Sequence, residues 1–471
     1  MNLNSSPHLV LALLLTCSFS FPIDVSADDP QPAAASDAAG DSEELKEGHS
    51  SHGEVFNEGP RQAAYLMDGV GTIEFEVTSK SEEAKAFVLQ GIGQLHGFWY
   101  FESERSFRQA AMLDPDCAIA YWGMAMSNRK NAERAKGFIK EAMDRKDKAS
   151  KREQLYVEAF HEYINAKAGT SEEKTKRAEK YIGKLDDILI AHPDDLEAKA
   201  FLCEFLWSAK REGFDMPSYV AVDAMIQDIL DRQPLHPAHH YRIHLWDSKK
   251  AANALESAAN CGLAAPAIAH MWHMPGHIYS KLNRYHDAVY QQEASARVDH
   301  AHMMKDRVLP DQIHNFAHNN EWCIRNLIHI GRVSDAIELA KNMIQLPQHP
   351  KYNTISKGSF KFGRERLLDV LRTYQLHADL IRYSETPYLA ACGSEKEDLK
   401  SDRYVAAACV ETGDTEKATA LRTKIQCSCW TQSQKNGRQR GQSRSRSKSQ
   451  RDGIQRGKER RKGDRQSSQC G

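Results

Sequence analysis

Residues 269–292 read AHMWHMPGHIYSKLNRYHDAVYQQ, and the spacing of large and small side chains in this stretch decides the fold. With Trp272 as position 4 of a 34-residue unit, Gly276 falls at 8, Tyr279 at 11 and Ala288 at 20. Small residues at 8 and 20 let two helices approach closely, and the large ones fill the space between them. Other stretches obey the same register. Phe87, Gly91, Phe107, Ala110 and Pro115 take positions 4, 8, 24, 27 and 32 of one unit. The next opens AIAYWGMA, with Tyr121 at 4 and Ala125 at 8, and Gly331-Arg332 with Ala336 marks the turn and small contact residue of another. Two positions depart from the pattern. Pro275 stands where Leu is usual and should kink its helix, and Gln292 replaces the aromatic of position 24.

Over about residues 80–426 the chain therefore resembles tetratricopeptide-repeat proteins. The match is specific in four units and degenerate between 130 and 235. It implies an all-α, tetratricopeptide-like superhelix of antiparallel helix pairs, in which Trp272 and Tyr279 are largely buried. Ahead of it, Ile73, Phe75 and Val77 alternate with polar residues, which predicts one short N-terminal strand over 72–78. Ser79 and Glu82 then fit a capping box that opens the first helix. The blocks HYRIHLWD, HMPGHIY and HNFAHNNEW narrow the resemblance to a group of exported bacterial tetratricopeptide proteins with paired histidines. Some members of that group continue into a thioredoxin-like, peroxiredoxin-type module. This chain has no CxxC and no strand-rich C-terminal region, so one alternative is the helical half of such a redox fusion. The resemblance implies no particular activity.

The paired histidines are the candidate site. His240 and His244, His273 and His277, and His314 and His318 each stand four residues apart, and His236 makes a fourth pair with His240. About one such pair is expected by chance for this histidine content. On a helix, i and i+4 share a face, so two neutral imidazoles can share an ion, and imidazole suits copper or zinc. In the repeat register His244, His273, His277 and His318 fall on groove-lining positions of neighbouring first helices. All three pairs are therefore expected to converge on one transition metal in the concave groove, where a protein or peptide partner would also bind. Asn315 and Asn319 could orient the rings. Met271, Met274, Met303 and Met304 would favour copper if they took part, although Met at such spacing more often fills a core. The bland reading, histidines satisfied by ordinary packing, competes with all of this. No HExxH, GxGxxG, P-loop or GxSxG is present, so the choice between a scaffold and a metal-dependent enzyme stays open.

The ends are different material. Residues 1–27 carry a short apolar run and Val25-Ser26-Ala27 before a polar stretch, which predicts a signal peptide and an exported, periplasmic or secreted protein. Residues 28–60 read as a flexible acidic linker and 61–426 as the helical domain. No apolar run past the N-terminus is long enough to cross a membrane. The tail, 427–471, holds 13 Lys/Arg against 3 Asp/Glu, a net of +10, which leaves −11 for the rest of a chain whose total is −1. It reads as a nucleic-acid or anionic-surface binder, as a solvated terminus, or as a frameshifted Glu-Ala-Lys linker. The last two are favoured, so no nucleic acid is expected as a partner. Cys117, Cys203, Cys261 and Cys323 sit singly in helical or turn contexts and are expected to be core thiols.

Overall fold

The computed structural model describes residues 63–428 except His314 and Lys351. The expected signal peptide, the acidic linker and the tail from 429 onward lie outside the described residues. The described chain is all-α. Its helices are α1 (Glu82–His96), α2 (Tyr100–Leu113), α3 (Ala118–Ser127), α4 (Ala132–Arg145), α5 (Lys151–Asn165), α6 (Ser171–Ala191), α7 (Leu196–Ser208) and α8 (Tyr219–Arg232). They continue as α9 (His239–Asp247), α10 (Leu255–Ala264), α11 (Ala269–Lys281), α12 (Tyr285–Asp306), α13 (Phe316–His329), α14 (Val333–Gln345), α15 (Gly358–Thr373), α16 (His377–Ser384) and α17 (Glu395–Thr412), and a last helix follows over 415–428. Each helix packs on the next in sequence, and first helices touch the first helices of neighbouring pairs, as α9 does α11 and α11 does α13. This is the expected tetratricopeptide-like superhelix. No described helix is long and apolar enough to cross a membrane.

The register explains the packing. A Cβ on Gly91 would lie 2.7 Å from the Phe107 ring, so position 8 must be small where position 24 is aromatic. A Cβ on Gly276 would lie 2.1 Å from Gln292 Nε2, the same contact with an amide in place of the ring. Phe87, Phe107, Ala110, Ala125, Ala288 and Ala336 are buried, as is Tyr279. Trp272 is not: it is half-buried against Gly262 of α10, and its indole N–H donates to the Pro266 carbonyl at 3.0 Å. Pro275 lies inside α11, which continues through it. The turn within several pairs uses one left-handed residue: Phe98 (φ +55°), Asn283 (+58°), Gly331 (+77°) and Gln375 (+53°). Cys117, Cys203, Cys261 and Cys323 are buried free thiols, and burial pushes Cys117, Cys203 and Cys323 up to about 12.

The N-terminal strand is not formed. Ile73, Phe75 and Val77 do turn inward, but no described strand lies beside 72–78, and a ladder needs a partner. Side chains and distant loops take the backbone bonds of this segment. Thr78 N–H donates to Glu153 at 2.9 Å, Gln233 donates to the Thr72 carbonyl at 2.7 Å, and Ala267 N–H donates to the Gly69 carbonyl at 2.8 Å. The cap of α1 is Ser81, two residues after the expected Ser79, whose hydroxyl donates to Asp114 instead.

A latch holds the start of this strap. Tyr65 OH donates to Asp306 of α12 at 2.9 Å, Arg105 bonds Asp306 at 3.0 Å and the Ala63 carbonyl at 2.7 Å, and His302 lies 2.9 Å from the same carboxylate. Burial works to raise Asp306, but the His302 and Arg105 bonds outweigh it and hold the carboxyl well below its usual range. A depressed folded pKa stabilises above the unfolded value of roughly 4 and loses that contribution as pH falls. Amide exchange over residues 63–72 is therefore expected to accelerate as pH drops below about 4, after correction for intrinsic rates. Asp306→Asn should show fast exchange already at neutral pH; unchanged exchange in both conditions would remove the latch.

Candidate metal centres

Three first helices supply the histidines. α9 carries His240 and His244, α11 carries His270, His273 and His277, and α13 carries His318. They do not meet at one point. They form two trios, His240–His244–His270 and His273–His277–His318, and within each trio the ligand nitrogens lie within 4.8 Å of one another. All six are buried between helices. His314 lies outside the described residues. His270 is a ligand candidate that pairwise reading missed. It stands three residues before His273, which places it on the same side of α11 but one turn earlier, facing α9.

In each trio an outer contact fixes which nitrogen of one ring carries its proton. In the first trio His240 Nδ1 lies 2.7 Å from the His96 carbonyl, which can only accept, so Nδ1 holds the proton and Nε2 presents a lone pair. His244 Nε2 lies 2.9 Å from that lone pair. The His244 ring is held between Trp207 (4.4 Å) and Phe98 (5.5 Å), and burial, then His240, pushes its pKa well below 6.5. A neutral imidazole is what an ion needs. Phe98 also covers His240 at 4.4 Å, and its left-handed backbone is what turns its ring over the trio.

The second trio repeats the design. His273 Nδ1 donates to Gln292 Oε1 at 2.8 Å, while Gln292 Nε2 donates back to the His273 carbonyl at 3.1 Å. Its Nε2 is therefore the lone pair, 2.8 Å from His277 Nε2. Trp322 stacks on His277 at 4.1 Å, as Trp207 does on His244. The His318 ring sits 4.9 Å from His273. On its far side His277 Nδ1 faces Asp247 Oδ2 at 3.6 Å, and Lys281 bonds the other oxygen at 2.7 Å. If His277 Nε2 gives a proton to His273, Nδ1 turns a lone pair toward a carboxylate. A cation at the Nε2 side removes that conflict, because the proton then moves to Nδ1 and points at Asp247. For bonds of about 2.0–2.1 Å in a tetrahedral site, nitrogens stand roughly 3.3 Å apart. The 2.8–2.9 Å pairs must open by a few tenths of an ångström and the third ring must draw in by up to about 1.5 Å.

A third cluster, His96–Glu197–His236, has ligand-type residues but the wrong proton positions. His236 Nδ1 accepts the Ala238 N–H at 2.9 Å, so its proton is on Nε2, which donates to Glu197 at 3.3 Å. His96 bonds the other carboxylate oxygen at 2.5 Å and the Tyr241 hydroxyl at 2.6 Å. Burial works to raise Glu197, and the two rings hold it well below the usual carboxylate range. This is a hydrogen-bonded core, and His236, four residues before His240, belongs to it and not to the first trio.

The flanking residues divide. Asn315 lies 3.2 Å from His270 Nδ1, and Asn319 donates to Asp299 at 3.1 Å. Met271 and Met274 are in the apolar core and Met304 is exposed, so the donors identified are imidazole nitrogens. A cavity of ≈ 20 Å³ borders His270, Phe98, Ile268, Asp299 and His302.

No family model and no curated protein matches the chain. Among solved structures it is similar to the Cut9–Hcn1 hetero-tetramer of the APC/C (12% identity over 73% of this chain and 66% of that one, TM-score 0.28). It is also similar to the TPR domain of P58(IPK) (13%, 75% and 99%, TM-score 0.18) and to the human IFIT1 dimer with PPP-AAAA (13%, 73% and 72%, TM-score 0.31). Likenesses at this level say nothing about function, and the account of the fold rests on the helix pairs themselves.

Proposed function

We propose that the chain is an exported helical-repeat scaffold for a protein or peptide partner, stabilised by two transition-metal ions of the zinc or copper(II) class. The observation that supports this reading is the pair of trios, each with one ring's Nδ1–H tied to an oxygen so that its Nε2 lone pair faces two more imidazoles. Nitrogen-only donor sets of this kind suit zinc and copper(II). The test is elemental analysis of the full chain after zinc loading and dialysis. Two ions per chain are expected, and His240→Ala/His244→Ala and His273→Ala/His277→Ala should each lose one while the helical circular dichroism is kept. No uptake by the intact chain ends the reading.

The second reading is a metal-dependent enzyme. It is favoured by the cavity beside His270, where Asp299, pushed up to about 7 by burial, is suited to proton transfer near neutral pH. Hydrolysis of an activated ester by the zinc-loaded chain, lost in His240→Ala/His244→Ala, would decide for it.

A further inference from the structure

The two trios hold the same three imidazoles in different surroundings. Around the second, His277 is backed by the buried Asp247 carboxylate, whose Oδ2 lies 3.6 Å from His277 Nδ1. Asp247 is more deeply buried than the Lys281 ammonium that shares it, so the carboxylate faces the site and the ammonium leans to solvent. Beside the first trio lies a cation, Arg211, over Trp207 at 5.7 Å, the ring that stacks on His244 at 4.4 Å. The carboxyl on the adjoining cavity, Asp299, accepts a hydrogen bond from Asn319 at 3.1 Å, and burial pushes it up despite that bond.

A buried divalent ion with only neutral ligands and a nearby cation is costly until an anion joins it. Three-histidine zinc sites that bind substrate keep a fourth position, and closed sites do not. The cavity of ≈ 20 Å³ lies at the first trio, bordered by its ligand His270 and by Phe98, and has room for a water or a similarly small ligand. From this geometry we propose that the first trio is an open site whose ion takes a small anion at its fourth position, on the cavity side, while the second trio is closed and balanced by Asp247. The anion is hydroxide, formed when bound water releases a proton to solvent, or an exogenous anion that displaces that water. This inference rests on the metal reading given above.

The full chain loaded with copper(II), with the copper counted by elemental analysis, is titrated with azide and followed by the azide-to-copper charge-transfer band. One azide per two coppers is expected. His240→Ala/His244→Ala should lose the band, and so should the single change His270→Gln if the double variant fails to fold. His273→Ala/His277→Ala should keep it. Asp247→Asn should weaken the second ion 10–100-fold and leave the band intact. Two azides per chain, no azide at two coppers, or a band that survives His240→Ala/His244→Ala overturns this inference alone. A chain that binds no copper or zinc overturns the metal reading and this inference with it.

Discussion

Zinc at about a thousand times its dissociation constant is expected to stabilise the folded chain by about 4 kcal/mol per occupied site. The size of the effect follows from where the ligands come from. Each trio draws on two separate helices, α9 with α11 and α11 with α13, so the unfolded chain offers no preformed site and the binding energy adds to folding. The measurement is the urea midpoint with and without zinc, reversed by chelator. A variant with all four paired histidines of α9 and α11 changed to Ala should show no zinc-dependent shift. An equal shift in that variant would place the ions elsewhere.

Glu197→Ala is expected to cost about 3–5 kcal/mol, the range for breaking a buried charged network from one side. Glu197, His96 and His236 are buried, and the carboxylate is the acceptor for both rings. Removing it leaves two imidazole nitrogens without an acceptor where water cannot replace it. Glu197→Gln keeps an acceptor oxygen and should cost less. Because the folded carboxyl is held low, its contribution is present above roughly pH 4 and fades as pH falls. A loss below about 1 kcal/mol for Glu197→Ala would show that the network is worth no more than an ordinary hydrogen bond.

The sequence made the array legible because steric contacts at fixed spacing leave a mark. Gly91 against Phe107 and Gly276 against residue 292 are contacts that only a small residue permits, so the register survives divergence. The site was legible in part. The i, i+4 pairs put two rings on one face, but the third ring of each trio comes from the first helix of the next pair, and spacing within one helix does not reveal it. His270 carried a visible signal, the 3-then-4 spacing in His270, His273 and His277. Gln292, a weak match to the repeat, is the residue that sets the His273 tautomer. The strand over 72–78 failed for a different reason: alternation reports which side chains turn inward, not whether a second strand lies alongside.

Placing each trio across two consecutive first helices has a mechanical consequence. A solenoid of helix pairs bends and twists by small slips between neighbours, each spread over many weak contacts. From α9 to α13 the same slips would shear the cross-helix ring contacts of the trios, His240 on His270 at 4.8 Å and His273 on His318 at 4.9 Å, and would strain bonds of about 2 Å if the proposed ions are bound. With the proposed ions bound, that segment would be a splint in the middle of a spring, and the compliance of the molecule would shift to the pairs on either side of it.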